Sequence, residues 1–92
     1  MYQIVPSKQF KKDFKRLVRS GRFDSSLFNK IVDTLAKGER LDKKYKDHEL
    51  QGALKDIREC HIKPDLLLVY KIYEEKVILE LIRLGSHSEL FS

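Results

Sequence analysis

Five consecutive apolar residues, Leu66-Leu67-Leu68-Val69-Tyr70, leave this chain few choices. An extended segment points successive side chains to opposite faces, so apolar residues at both parities need cover on both sides. That places the segment in the middle of a sheet. Five residues are far too few to cross a bilayer. The strand is predicted over Leu66 to Tyr73.

Two further strands flank it in sequence, Leu54 to Ile62 and Val77 to Leu84. Lys63-Pro64-Asp65 turns into the central strand, because Pro64 removes a backbone donor and Asp65 favours turn geometry. Glu74-Glu75 is the candidate hairpin on the other side, without the usual Gly or Asn. Upstream the apolar period changes. Phe10, Phe14, Leu17 and Val18 fall on one helical face, with Ser7 as N-cap and Gly21 as the residue after the helix. Leu27, Phe28, Ile31, Val32 and Leu35 mark a second helix, capped by Asp24, Ser25 or Ser26 and closed by Gly38. The short connection makes the pair an antiparallel hairpin. Tyr2 to Val5 is a short strand ended by Pro6. Residues 39–49 are polar and aperiodic, hence a loop, and Gly52 turns the chain toward the sheet. The last residues, from Gly85, form a tail or a short helical turn. The order β-α-α-β-β-β implies a single α+β domain over residues 1–92, with the helix hairpin on one face of a mainly antiparallel four-stranded sheet.

Charge suggests a partner. Of 92 residues, 19 are Lys or Arg and 14 Asp or Glu, a formal +5. Residues 1–46 hold 13 basic and 5 acidic residues, and residues 47–92 hold 6 and 9. A basic half points to a polyanion, with a solvated helix face as the plain alternative. The one cysteine, Cys60, allows no internal disulfide and fits a reducing compartment. The N-terminus, Met1 to Pro6, lacks the apolar stretch of a signal peptide. A cytoplasmic protein without a membrane partner is expected.

Chemistry points to the three histidines, His48, His61 and His87. All fall in predicted loops or strand ends. Asp65 follows His61 across a tight turn, and Arg83 precedes His87. Imidazoles, a carboxylate and a guanidinium are sufficient to cut RNA without a metal. A base takes the 2′-hydroxyl proton, an acid protonates the leaving 5′-oxygen, and a cation offsets charge on the phosphorane. Histidine suits the first two roles because it titrates near neutrality. Zn²⁺ held by His48, His61, His87 and Asp65 is a rival, but no short HxH or HxxxH pair supports it. No GxxxxGK[ST], GxGxxG, CxxC or GxSxG pattern occurs, so no nucleotide, dinucleotide or other small-molecule cofactor is indicated.

Three blocks then resemble a known family. They are Tyr45-Lys46-Asp47-His48-Glu49-Leu50-Gln51-Gly52, Arg58-Glu59-Cys60-His61-Ile62-Lys63-Pro64-Asp65 with Leu67-Leu68-Val69-Tyr70, and Arg83-Leu84-Gly85-Ser86-His87-Ser88-Glu89-Leu90-Phe91. They resemble the motif blocks of YafQ-type toxins of the RelE/ParE toxin–antitoxin superfamily, over the whole chain and in the same order. The resemblance implies a ribosome-dependent messenger-RNA endonuclease held by a cognate antitoxin. It implies catalytic His48, His61, Asp65 and His87, with Arg83 on the scissile phosphate, Phe91 against the substrate and Glu59 as a secondary candidate. Leu66 stands where some members carry a tryptophan, and a leucine stacks poorly on a base.

Within that reading His87 is the general acid, His48 the first choice of base and His61 the second, with Asp65 orienting His61. The products would be a 2′,3′-cyclic phosphate and a 5′-hydroxyl. Lys11, Lys12, Lys15 and Arg16 form a basic helix face suited to ribosomal RNA, to the antitoxin, or only to solvent. The alternative function is a non-catalytic toxin of the same fold that inhibits DNA gyrase by protein contact. A pure binder has no chemical need for the three histidines.

Overall fold

The computed structural model describes residues 1–52 and 56–91. Its elements are β1 (Gln3–Pro6), α1 (Lys8–Arg19), α2 (Ser25–Ala36), a 3₁₀ turn (Lys43–Tyr45), β2 (His48–Glu49), β3 (Arg58–Lys63), β4 (Leu66–Tyr73), β5 (Ile78–Gly85) and α3 (His87–Phe91). The strands form one sheet in the order β1-β5-β4-β3-β2, with β1 parallel to β5 and the other pairs antiparallel. The architecture is α+β, with helices on a mainly antiparallel sheet. It has five strands rather than the expected four, because His48 and Glu49, read as loop, pair with Glu59 and Arg58. Two residues offer no alternation to read. The third strand begins at Arg58, and the expected start at Leu54 lies outside the described residues.

The apolar run is central, as its composition requires. Leu67, Leu68, Val69 and Tyr70 are each 5% exposed or less. Leu68 and Tyr70 join Cys60, Ile62, Leu79, Leu81 and Leu84 beneath Phe10, Phe28, Ile31, Val32 and Leu35 of the helices. Phe10, Phe14, Phe23 and Phe28 tie the hairpin together, with ring centroids 5.2–6.0 Å apart. Both predicted caps form: Ser7 Oγ accepts from the Phe10 amide at 3.0 Å and Asp24 from the Leu27 amide at 3.1 Å.

One position on α1 departs from the predicted face. Val18 is 53% exposed, whereas Asp13 is fully buried. The reason lies at the β5 edge. β1 ends where Pro6 pairs with Leu81, which would leave the rest of β5 an open edge. Side chains of α1 and its cap close it. Ser7 Oγ donates to the Ile82 carbonyl at 2.9 Å, and the Leu84 amide donates to Asp13 Oδ2 at 3.0 Å. Arg16 Nη2 reaches the Leu84 carbonyl at 3.5 Å. A buried carboxylate here substitutes for a missing strand.

The turn between β4 and β5 also differs from expectation. It spans Glu74 to Val77, and Val77 has φ +55°. The Glu74-Glu75 pair lacks the Gly or Asn that a two-residue turn demands, so the turn is longer. The Gln3 amide donates to the Val77 carbonyl at 2.9 Å and holds that residue at the start of β1.

Candidate active site

Strand register alone places four of the candidate residues. Directly paired residues share a face of a sheet. Cys60, Leu68 and Leu84 make one row and face the helices. The next row, His48–Glu59–Val69–Arg83, therefore faces the other way, as does His61–Leu67–Gly85. Four of the residues singled out from sequence thus lie on one surface drawn from four strands and floored by Leu67 and Val69.

At its β2–β3 end Glu59 sits between two imidazoles. Its Oε1 is 3.6 Å from Nε2 of His48 and 3.6 Å from Nε2 of His61, and the two rings lie 6.4 Å apart. Glu59 is 5% exposed, so this carboxylate is little screened by water. His48 Nδ1 is 2.7 Å from the Lys46 carbonyl oxygen. A carbonyl only accepts, so Nδ1 carries the hydrogen and Nε2 of a neutral ring is left as the acceptor. Asp65 was expected to orient His61. The structure gives that place to Glu59, because Asp65 lies in the β3–β4 turn and makes no ion pair among the described residues. It lines a separate cleft with Lys63, Leu66, Ser86 and Glu89.

The short β2 strand is held by a network that sequence reading missed. Asp47 accepts from Arg58 Nε at 3.4 Å, from Arg58 Nη2 at 3.2 Å, and from the Tyr70 hydroxyl. Burial and the Asp47 hydrogen bond both push the Tyr70 phenol upward. Burial lowers Arg58, yet its bonds to Asp47 and Tyr70 outweigh that and raise it. Lys46, with φ +49°, turns the chain so that Asp47 points to this network while His48 joins the site face. A signal was available in the alternation of Asp47 and His48 beside a tyrosine on the core strand, but only with the register known.

At the β5 end Arg83 forks onto Asp13, Nε to Oδ2 at 2.8 Å and Nη2 to Oδ1 at 3.3 Å. Burial raises the Asp13 carboxyl, but hydrogen bonds from Arg83, the Leu84 amide and Gln9 outweigh it and hold it below 3.8. The Asp13 bond raises Arg83. Two of the five guanidinium N–H groups are used, so others remain for a phosphate. Asp13 was legible in one respect: it is the single acidic residue of α1 and sits at core spacing from Phe10 and Leu17. Arg16, expected on the basic face with Lys11, Lys12 and Lys15, instead pairs with Asp13 at 3.4 Å and Glu89 at 3.5 Å.

The tail is a helix with a capping box. The Glu89 amide donates to Ser86 Oγ at 3.2 Å, and Glu89 Oε1 accepts from the Ser86 amide at 2.8 Å. That backbone bond is the main reason the Glu89 carboxyl is lowered. The box fixes His87 in the first turn, where its ring lies 5.1 Å from that of Phe91. Phe91 is 39% exposed, with its ring against that of His87. Cys60 faces the helices, and burial pushes its thiol up to about 12, which removes it from chemistry at neutral pH. Among the described residues, no group of three or more His, Cys, Asp or Glu is placed to hold a metal ion.

The family model "bacterial toxin of type II toxin-antitoxin system, YafQ" matches residues 2–92. The chain belongs to the YafQ toxin family. A curated YafQ relative from Escherichia coli BL21(DE3), named mRNA interferase toxin YafQ, is 35% identical over 89 residues, 96% of this chain and 94% of the relative. With the K12 relative of the same name the match is 45% over 47 residues, so the chain spans about half (49%) of that protein's length. Among solved structures, a metal-bound toxin from Helicobacter pylori is 58% identical, with 99% of this chain and 100% of that chain covered and a TM-score of 0.93. The YafQ chain of an E. coli DinJ–YafQ complex is 33% identical, with both chains fully covered (100% each) and a TM-score of 0.87.

Proposed function

We propose that this chain is an endoribonuclease that cuts messenger RNA on the ribosome by histidine acid–base chemistry and is held inactive by an antitoxin. The carrying observation is the Glu59 carboxylate 3.6 Å from both His48 and His61, on the sheet face that also bears Arg83. The names of the YafQ relatives support messenger RNA as substrate, and the DinJ–YafQ complex supports an antitoxin partner.

His48 Nε2 takes the 2′-hydroxyl proton, and Glu59 stabilises the imidazolium that results. His61, on the other side of the same carboxylate, is the second choice of base. The 2′-oxygen attacks phosphorus and the bond to the 5′-oxygen breaks. Arg83, kept in place by Asp13, offsets charge on the phosphorane. His87 protonates the departing 5′-oxygen, which leaves a 2′,3′-cyclic phosphate and a 5′-hydroxyl. His61 and Gly85 lie two strands apart in one row, about 10 Å, and α3 with His87 follows Gly85, which supports an acid and a base that reach the phosphate from opposite sides. Phe91 supports His87 and offers a ring edge to the substrate, and Asp65 contributes from the adjoining cleft. Lys11, Lys12 and Lys15, exposed on α1, dock on ribosomal RNA.

The chemistry needs no metal, and cleavage is expected to persist in EDTA at a Mg²⁺ level that keeps ribosomes intact. Loss of cleavage on chelation, restored by one equivalent of a transition metal, would show that the toxin is a metalloenzyme instead. Sequencing RNA ends after brief expression tests the function itself. New 5′-hydroxyl ends in reading frame are expected. Intact messages with inhibited DNA supercoiling would establish the gyrase reading.

A further inference from the structure

The cleft between α2, the 3₁₀ turn and β3 is a concavity of about 480 Å³. Lys44, Lys46 and Lys63 line it, together with His61, Tyr45 and Leu27. None of the three lysines has a carboxylate within 4.0 Å among the described residues. Four other concavities of the described surface each carry an acidic wall: Asp47, Glu49, Glu80 and Asp65 respectively. This one gathers three cations and no acid, with Lys44 5.2 Å over the Tyr45 ring, so its potential is positive where the others are mixed. Its remaining wall is apolar, from Leu27 and Pro64, which suits the face of a base.

The cleft also adjoins the chemistry at two points. His61 forms part of its wall, and the Lys46 carbonyl accepts from His48. One candidate base, His61, lines it, and no described residue of α3 does. The nucleotide next to the bases is the one whose 2′-hydroxyl attacks. We infer that this cleft binds the single-stranded RNA segment on the 5′ side of the scissile bond, with Lys44, Lys46 and Lys63 on its phosphates and the base against Leu27 and Pro64. The assignment of the 5′ side rests on the acid and base roles proposed above.

The test uses the full chain and single-stranded RNA oligonucleotides with a 2′-deoxy residue at the cleavage position, which cannot be cut by 2′-hydroxyl attack. Replacing Lys44, Lys46 and Lys63 together with Gln should weaken binding and lower the salt slope by about 2, at about 0.7 per phosphate contact for single strands. Lys63→Gln alone should lower it by about 0.7. Removing nucleotides from the 5′ end should weaken binding to the parent but not to the triple variant, while removal from the 3′ end should affect both equally. Circular dichroism verifies the fold, which these exposed side chains do not support. Parental affinity and slope in the triple variant, or no measurable RNA binding by the parent at low salt, overturn the inference. Binding needs no catalysis, so a parent that binds in this way yet cuts nothing would refute the nuclease reading and leave the cleft standing.

Discussion

Asp13 carries two tasks, replacing a strand partner at Leu84 and forking with Arg83. Removing one partner of a buried pair leaves the other group unsatisfied, so Asp13→Ala should cost about 3 kcal/mol, read by urea unfolding. Its depressed carboxyl also sets a pH dependence. The folded value lies below 3.8, so the stabilisation is complete above 3.8 and is lost as pH falls through the folded value. The parent should therefore lose thermal stability below about pH 4 more steeply than Asp13→Asn; parallel curves would remove Asp13 from the acid limb. Tyr70 acts at the same scale. Tyr70→Phe should cost about 1 kcal/mol through the lost Asp47 bond, and should slow cleavage because Asp47 sets the backbone beside His48. Asp13 and Asp47 escaped the sequence reading because each earns its place through a residue distant in the chain, Leu84 or Tyr70.

At the scale of elements, the helices and long strands were legible because their apolar periods run over many residues. The caps Ser7 and Asp24 were legible for their side-chain chemistry. The two-residue β2 was not, since its only specification is the pairing with Glu59 and Arg58. The tail helix had a readable Ser86-His87-Ser88-Glu89 box, which the expectation of a tail or a turn left undecided. The β4–β5 turn keeps a local strain. Val77, 49% exposed, adopts a left-handed φ that disfavours a β-branched side chain. Asn tolerates that region, so Val77→Asn should raise stability by up to about 1 kcal/mol, or about 4–8 °C in Tm for a domain of this size. A lower Tm would mean that the Val77 side chain contributes more by packing than its backbone costs.

Over the whole molecule, the two faces of the sheet carry different side chains. One face is the core under the helix hairpin. The other gathers His48, Glu59, His61 and Arg83, and α3, which packs on β5, carries His87. The sequence blocks supplied this set except for its internal pairing: Glu59 lies where Asp65 was expected, and Arg83 is held by a carboxylate from α1. No helix among the described residues is long and apolar enough to cross a membrane. The proposed mechanism requires separate acid and base groups, and a leaving group that needs no proton distinguishes them. Single-turnover cleavage should be measured on ribosomes programmed with messenger RNA carrying either the normal 5′-oxygen or a bridging 5′-sulfur at the cleavage position. His87→Ala should lose about 10²–10⁴-fold on the oxygen substrate and recover most of it on the sulfur substrate, while His48→Ala stays slow on both. An equal loss on both substrates for His87→Ala, or no loss on either, would contradict the assignment of His87 as the acid and with it the mechanism.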